Sequence, residues 1–342
     1  MNALVLTDYH TFEYTSVPDP EPKEDEVLVR VKACAICGSD IHGCSGESGR
    51  RIPPIIMGHE ASGEIIKIGT AVKGRREGCR VTFDSTEYCG TCWFCSHGFH
   101  NLCTNRKILG VACKDYRKNG AMAEYIAVKA HTLYELPARV SFEEASLVEP
   151  LAVGMHAVHL AGSLSGKTAA VIGAGTIGLM TLLAAKSKGA VSVLVSGHHA
   201  YRRQTALQMG AEAVAGEKEE FTVLAHRMTD GRGVDVVFDS VGTQDSFLSA
   251  LSAVRAGGTI VCIGNAQQRI SFPLQECIVN QISVICSYSS EGEYPECLRA
   301  IASGSVKLGA FLDHVVPLKQ GAKAFDRLLG REEGLLKVIL KP

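Results

Sequence analysis

Two kinds of hydrophobic pattern divide the chain. In its first third, Val27-Leu28-Val29-Arg30-Val31, Gly63-Glu64-Ile65-Ile66-Lys67-Ile68 and Glu124-Tyr125-Ile126-Ala127-Val128 are short apolar runs or alternations bounded by turn residues, with no long helical pattern between them. Such segments predict β-strands. Near Glu143 the character changes: Phe142 to Ala161 is long enough for a helix, with an interruption expected at Pro150. From Thr168 the pattern alternates. Strands are predicted at Ala169–Ile172, Val191–Val195, Val234–Phe238 and Thr259–Ile263, and helices at Ile177–Lys188, Tyr201–Met209 and Phe247–Val254. Alternation of this kind predicts a parallel sheet covered on both faces. It ends after Ile282–Cys286, and the remaining residues mix two helices with a closing strand at Lys337–Leu340.

Composition narrows the picture. With 342 residues, two domains are expected, and 46% apolar residues suffice for two cores. A net charge of -1 supplies no basic field, which argues against a nucleic-acid partner. Thr168 to Ala185 carries no charge, but Gly173, Gly175 and Gly178 crowd its first half, so strand, turn and helix are expected rather than a membrane span. Thirteen cysteines, an odd count in a long chain whose N-terminus lacks a signal-like segment, read as reduced thiols and metal ligands in a cytoplasmic protein.

Three stretches carry candidate chemistry. The first runs Cys37-Gly38-Ser39-Asp40-Ile41-His42, with Gly58-His59-Glu60 following. Cys37, His59 and a carboxylate, either Glu60 or Glu149, would make an open zinc site of three protein ligands with a fourth position free. Asp40 is expected to brace a zinc-binding histidine from behind. The second stretch, Cys89, Cys92, Cys95 and Cys103, has the spacing to wrap four thiolates round a structural zinc; His97 and His100 are possible substitutes, but the cysteines already saturate the ion. Two zinc ions per chain are therefore expected.

The third stretch is Gly173-Ala174-Gly175-Thr176-Ile177-Gly178, which follows a predicted strand and opens a predicted helix. That context fits a dinucleotide site: a tight turn at the first glycine, close approach of pyrophosphate at the second, helix packing at the third, and helix N–H groups directed at the phosphates. An NAD site usually carries an acid about twenty residues further on. Here the segment reads Val195-Ser196-Gly197-His198-His199-Ala200-Tyr201-Arg202-Arg203. The acid is missing, Gly197 leaves room, and His198, His199, Arg202 and Arg203 offer donors, which favours NADP over NAD.

With these pieces assembled, the chain resembles the zinc-dependent medium-chain alcohol dehydrogenases over nearly its full length, and within them the sorbitol dehydrogenase-like polyol dehydrogenases. The match rests on Cys37 to His42, Gly58-His59-Glu60, the four-cysteine loop, Val148-Glu149-Pro150-Leu151, the Gly173 loop and Gly231-Arg232-Gly233-Val234-Asp235. The resemblance implies an α/β protein: a GroES-like, β-rich catalytic domain from residues 1–150 and 290–342, and a doubly wound Rossmann domain from 151–289. It implies zinc on Cys37, His59 and Glu60, with Glu149 bonding a zinc-held water or ligating in turn. Ser39 matches a hydroxyl that relays the substrate proton, and His42 would pass it to solvent. The implied reaction interconverts a secondary alcohol of a polyol or sugar acid with its ketone, zinc bringing the hydroxyl pKa toward about 7.

Glu149-Pro150 resembles the polyol group, since threonine dehydrogenases tend to carry Asp-Pro there. Ser287-Tyr288 stands where sorbitol dehydrogenases tend to carry Arg-Tyr, which puts sorbitol itself in doubt. Glu47, Arg50 and Arg51 lie in a loop that either lines the pocket mouth or is simply solvated. The rival readings are a threonine- or sugar-phosphate-type zinc dehydrogenase and, in another class, a non-catalytic zinc- and nucleotide-binding protein. A homodimer or homotetramer is expected from the family alone.

Overall fold

The computed structural model describes residues 1–342. The chain divides into two compact units, one comprising Met1–Glu149, Tyr294–Ser303 and Leu308–Pro342, the other Pro150–Glu293 and Gly304–Lys307. No helix is long and apolar enough to cross a membrane. The uncharged Thr168–Ala185 segment resolves into the strand Thr168–Ile172, a turn, and the helix Thr176–Ser187.

The first unit is built on a seven-stranded sheet. Its central strand, Glu26–Ala35, pairs antiparallel with Glu60–Ile68, Tyr125–Lys129 and Ile339–Lys341. The inward positions of these strands, among them Val27, Val29, Val31, Ile65, Ile126, Val128 and Leu340, join one core. That is the period-2 pattern of a sheet with one buried face. The registers Ala35↔Glu60 and Ala35↔Ile339 have a consequence for chemistry. They bring Cys37, two residues beyond one strand, Glu60, at the start of the next, and Lys337, just before the third, to the same end of the sheet. A bond from Ile36 N–H to Val338 O at 2.9 Å fixes this end.

Phe142 to Ala161 contains two helices, Phe142–Ser146 and Val148–Leu160. The break falls at Leu147 rather than at Pro150. Proline sits in the first turn of the second helix, where its missing N–H would have found no intrahelical acceptor. The closing strand is Ile339–Lys341, two residues later than the Lys337 start expected from hydropathy.

The second unit holds a six-stranded parallel sheet: Ala213–Ala215, Ser192–Ser196, Thr168–Ile172, Val234–Asp239, Val254–Cys262, Ser283–Cys286 in spatial order. In chain order this is 3-2-1-4-5-6, the doubly wound arrangement that binds dinucleotides at the carboxyl ends of its strands. Two elements of this unit give no clear sequence signal: the strand Ala213–Ala215 is too short and the helix Lys218–Arg227 too polar to stand out.

Candidate active site and cofactor loop

Cys37 N-caps the short helix Gly38–Cys44. Its Sγ accepts from Ser39 N–H at 3.4 Å, and Asp40 Oδ2 accepts from Cys37 N–H at 3.3 Å. This reciprocal cap holds the sulfur at the sheet end, where Cys37, His59 and Glu60 offer donor atoms all within 4.8 Å of one another. The residues fit a metal by an observation independent of motif: Glu60 Oε1, fully buried beside the Cys37 and His59 donors, has no hydrogen-bond partner. Orphaned polar atoms of this kind are costly unless a cation satisfies them. Burial and the neighbouring Glu60 charge push the Cys37 thiol well up, an effect that a divalent cation would reverse.

Glu149 lies outside that set. Its Oε1 accepts from Ser85 Oγ at 3.3 Å, and burial raises its pKa to about 7, with Glu60 and Asp84 adding to the push and His59 opposing it. Of the two carboxylates left open by the sequence, Glu60 is the one grouped with Cys37 and His59.

Asp40 is fully buried and spends most of its bonding elsewhere than on histidine. Its Oδ1 accepts from Arg51 Nε at 3.2 Å and from the terminal nitrogen Nη2 at 3.0 Å, while His59 Nδ1 stands 3.6 Å away, too far for a hydrogen bond. Arg51 is therefore not at a pocket mouth: it is 4% exposed and ion-paired, whereas Glu47 and Arg50 are exposed. Ser39 and His42 are both exposed on the helix that Cys37 caps.

Lys337 was missed. It is 3% exposed, and its Nζ lies 2.5 Å from Glu60 Oε2. The contact is a buried ion pair that leaves Glu60 Oε1 without a partner. The signal in the sequence was a lone lysine within Leu335-Leu336-Lys337-Val338-Ile339-Leu340, six buried residues in a row.

The second cysteine group is closed. Cys92 Sγ is 3.5 Å from Cys95 Sγ and 3.9 Å from Cys103 Sγ, and Cys89 and Cys95 are 4.0 Å apart. Four sulfurs on a tetrahedral ion with Zn–S of about 2.3 Å would lie roughly 3.8 Å apart. Backbone N–H groups of Thr91 and Cys92 hold Cys89 down to about 5. His97 Nδ1 faces Trp93 O at 2.8 Å and its ring stacks on Trp93, while His100 packs on Tyr88, so neither joins the cysteines.

In the second unit each glycine of the loop has a distinct reason. Gly173 has φ +97°, and a Cβ there would meet Ser240 Oγ at 2.6 Å. Asp239 braces that neighbouring turn by accepting from Val241 and Gly242 N–H. A Cβ on Gly178 would lie 1.7 Å from Gly173 O, whereas above Gly175 the nearest atom is Arg202 Nη1 at 4.0 Å. Gly175 thus N-caps the helix Thr176–Ser187 with open space before it, and Thr176 and Ile177 remain partly exposed.

Gly197 has a packing reason as well: a Cβ would be 2.6 Å from that of Ala174. The bare position follows from this approach, whichever nucleotide binds. Ser196 O accepts from Gly173 N–H at 3.0 Å. Arg203 is committed to the carbonyls of Gly197 (2.7 Å) and His198 (2.9 Å); His198 and His199, both exposed, and Arg202 are the other side chains beside the loop.

A GroES-like sheet unit with a closed four-cysteine group and an open Cys–His–Glu group, joined in one chain to a 3-2-1-4-5-6 Rossmann sheet, defines a zinc-binding nucleotide-dependent oxidoreductase. Comparison agrees. Residues 23–138 match the alcohol dehydrogenase GroES-like domain, and residues 176–303 match the zinc-binding dehydrogenase domain. The chain is 32% identical to sorbitol dehydrogenase of Bacillus subtilis (strain 168), covering 100% of this chain and 97% of that protein. It is 32% identical to D-arabitol-phosphate dehydrogenase of Enterococcus avium over 97% of this chain and 94% of the relative. A zinc-binding dehydrogenase from Sinorhizobium meliloti 1021, solved bound to NADP, superimposes with a TM-score of 0.91 at 29% identity, covering 100% of this chain and 99% of that one. The chain belongs to the zinc-dependent medium-chain alcohol dehydrogenase family, among its polyol dehydrogenases.

Proposed function

We propose that this protein interconverts a secondary alcohol of a polyol or sugar acid with its ketone, using NADP in preference to NAD. The observation that carries the reading is the cluster of donor atoms on Cys37, His59 and Glu60, all within 4.8 Å of one another, with Glu60 Oε1 buried and unpartnered. When bound there, zinc would supply Lewis acidity toward the substrate hydroxyl. The chain's own residues do the rest. Cys37, His59 and Glu60 would hold the ion, and Glu149, bonded by Ser85, stands as the neighbouring carboxylate. Ser39 accepts the hydroxyl proton and hands it to His42, which is exposed to solvent. When bound, the nicotinamide would supply the hydride acceptor. Gly173, Gly175, Thr176, Ile177 and Gly178 would hold its pyrophosphate at a helix N-terminus. Ser196 and Gly197 would hold the ribose, and His198, His199 and Arg202 would serve the 2′-phosphate. Support for NADP comes from Arg202 lying over Gly175 and from the NADP-bound relative. The thirteen free cysteines suit a reducing cytoplasm, and a homodimer or homotetramer is the expected assembly.

The test is a panel of polyols, polyol phosphates, sugar acids and threonine with both nucleotides, followed at the reduced-nicotinamide absorbance. Turnover of polyols or sugar acids, faster with NADP, is expected. Threonine oxidation without polyol turnover would end the polyol reading, a polyol-phosphate-only enzyme would move it to the sugar-phosphate class, and faster turnover with NAD would overturn the nucleotide assignment.

A further inference from the structure

The metal-site reading leaves one buried charge without a role. Lysine is almost never fully buried unless paired, and the partner of Lys337 is a carboxylate assigned above to the metal. Both ends of the pair are inaccessible, at 3% and 0% exposure. The lysine also stands near enough to Cys37 and Glu149 for their charges to act on it. The geometry gives it one: Lys337 faces Glu60 Oε2 while Glu60 Oε1 is left to the metal, and Asp40 is held separately by Arg51. A carboxylate buried this deeply is heavily penalised without a positive partner.

We propose that Lys337 is a positioning residue for Glu60: its ammonium holds one carboxylate oxygen by charge, so that Glu60 is shared between lysine and metal and the metal's remaining position stays open to substrate. This rests on the metal reading of Cys37, His59 and Glu60. The sheet register is what makes it work, because Ala35 pairs with both Glu60 and Ile339 and so delivers the lysine to the end of the strand where the glutamate begins. Remove the lysine, and the Glu60 oxygen it held is drawn onto the cation, with Glu60 becoming a full-time ligand.

The experiment uses the full chain loaded with cobalt in place of zinc, whose visible spectrum reports the ligand set, together with the rate of metal release to a chelator. Lys337→Met should alter the cobalt spectrum, slow release about tenfold or more, and lower kcat by a similar factor, the size usual for partners of metal ligands. Lys337→Arg should restore all three, and the neutral pair Lys337→Met with Glu60→Gln should return release to or above the wild-type rate. An unchanged spectrum and release rate in Lys337→Met, or faster release, would overturn the proposal. Should Lys337→Met fail to fold, the neutral pair decides the matter: slower release than wild type, with no carboxylate left to capture, would overturn it, and release at or above the wild-type rate would support it. If instead wild-type protein takes up no cobalt that Cys37→Ser removes, the metal reading itself fails, a result distinct from the failure of the lysine's role.

Discussion

At the scale of single residues, the most informative side chains are charges buried with a partner. Asp40 and Arg51 are eleven positions apart in the chain and touch only because Gly43 lets the arginine cross; a Cβ at Gly43 would fall 2.3 Å from Arg51 Cγ. No sequence pattern announces such a pair, which is why Arg51 read as part of an exposed loop. Arg51→Met should leave Asp40 buried and unpaired and lower stability by about 3–5 kcal/mol, read from denaturant midpoints. Glu293 is similar but sensitive to pH. Burial pushes its pKa up, yet His156 Nδ1 at 2.8 Å and His159 Nδ1 at 3.4 Å outweigh this and hold the carboxyl at about 2, against 4.5 in the unfolded chain. Folding lowers this pKa. The stabilisation is therefore complete above 4.5 and is lost as pH falls through about 2. Glu293→Gln should cost roughly 2–3 kcal/mol at pH 7, and its deficit relative to wild type, followed by urea melts, should shrink steadily between pH 4.5 and 2. A deficit independent of pH would show that the histidine contacts do not set the pKa.

At the scale of elements, what the sequence revealed and what it hid have the same cause. Motifs that need a local backbone shape were legible: Gly173 with positive φ, Gly178 pressed on a carbonyl, and cysteines spaced to bring four sulfurs together all signal themselves within a few residues. Features that depend on register between distant strands were not. Lys337 pairs with Glu60 across 277 positions, and only the pairing of the terminal strand with Glu26–Ala35 reveals it. Helix starts lie between these extremes. Ser141 caps the helix Phe142–Ser146 by accepting from Glu144 N–H at 3.1 Å, and Glu144 returns a bond to Ser141 N–H at 2.9 Å. Ser141→Ala should cost about 1 kcal/mol in thermal or chemical denaturation. At the start of the helix Ala200–Gln208, two adjacent arginines point to different places. Arg203 is tied to the carbonyls of Gly197 and His198, whereas Arg202 reaches over the glycine loop. Arg202→Ala should raise KM for NADP about tenfold while leaving KM for NAD unchanged, the equivalent of about 1.4 kcal/mol, and Arg203→Ala should lower stability with little change in the ratio of the two.

At the scale of the whole molecule, the two metal sites proposed here would differ in how they lose metal. The four-sulfur group supplies every ligand from the protein and ties Cys89 to Cys103 around a lobe that has little regular structure, one helical turn at Trp93–Ser96 and a 3-10 turn at His100–Leu102. A closed site of this kind contributes its binding energy to folding. The Cys37, His59, Glu60 site draws its residues from a sheet end already fixed by strand pairing and by a core that does not involve the metal. The two ions expected per chain should therefore leave in order. A chelator at moderate concentration should remove one ion per chain and abolish turnover, with the thermal midpoint lowered only slightly. Loss of the second ion, at higher chelator or on Cys103→Ser, should bring a fall of many degrees and exposure of the Trp93 lobe to protease. Metal content, activity and melting measured on the same samples test this directly. If activity and the melting midpoint fall together as a single ion leaves, the two groups are not the independent catalytic and structural sites that their geometry implies.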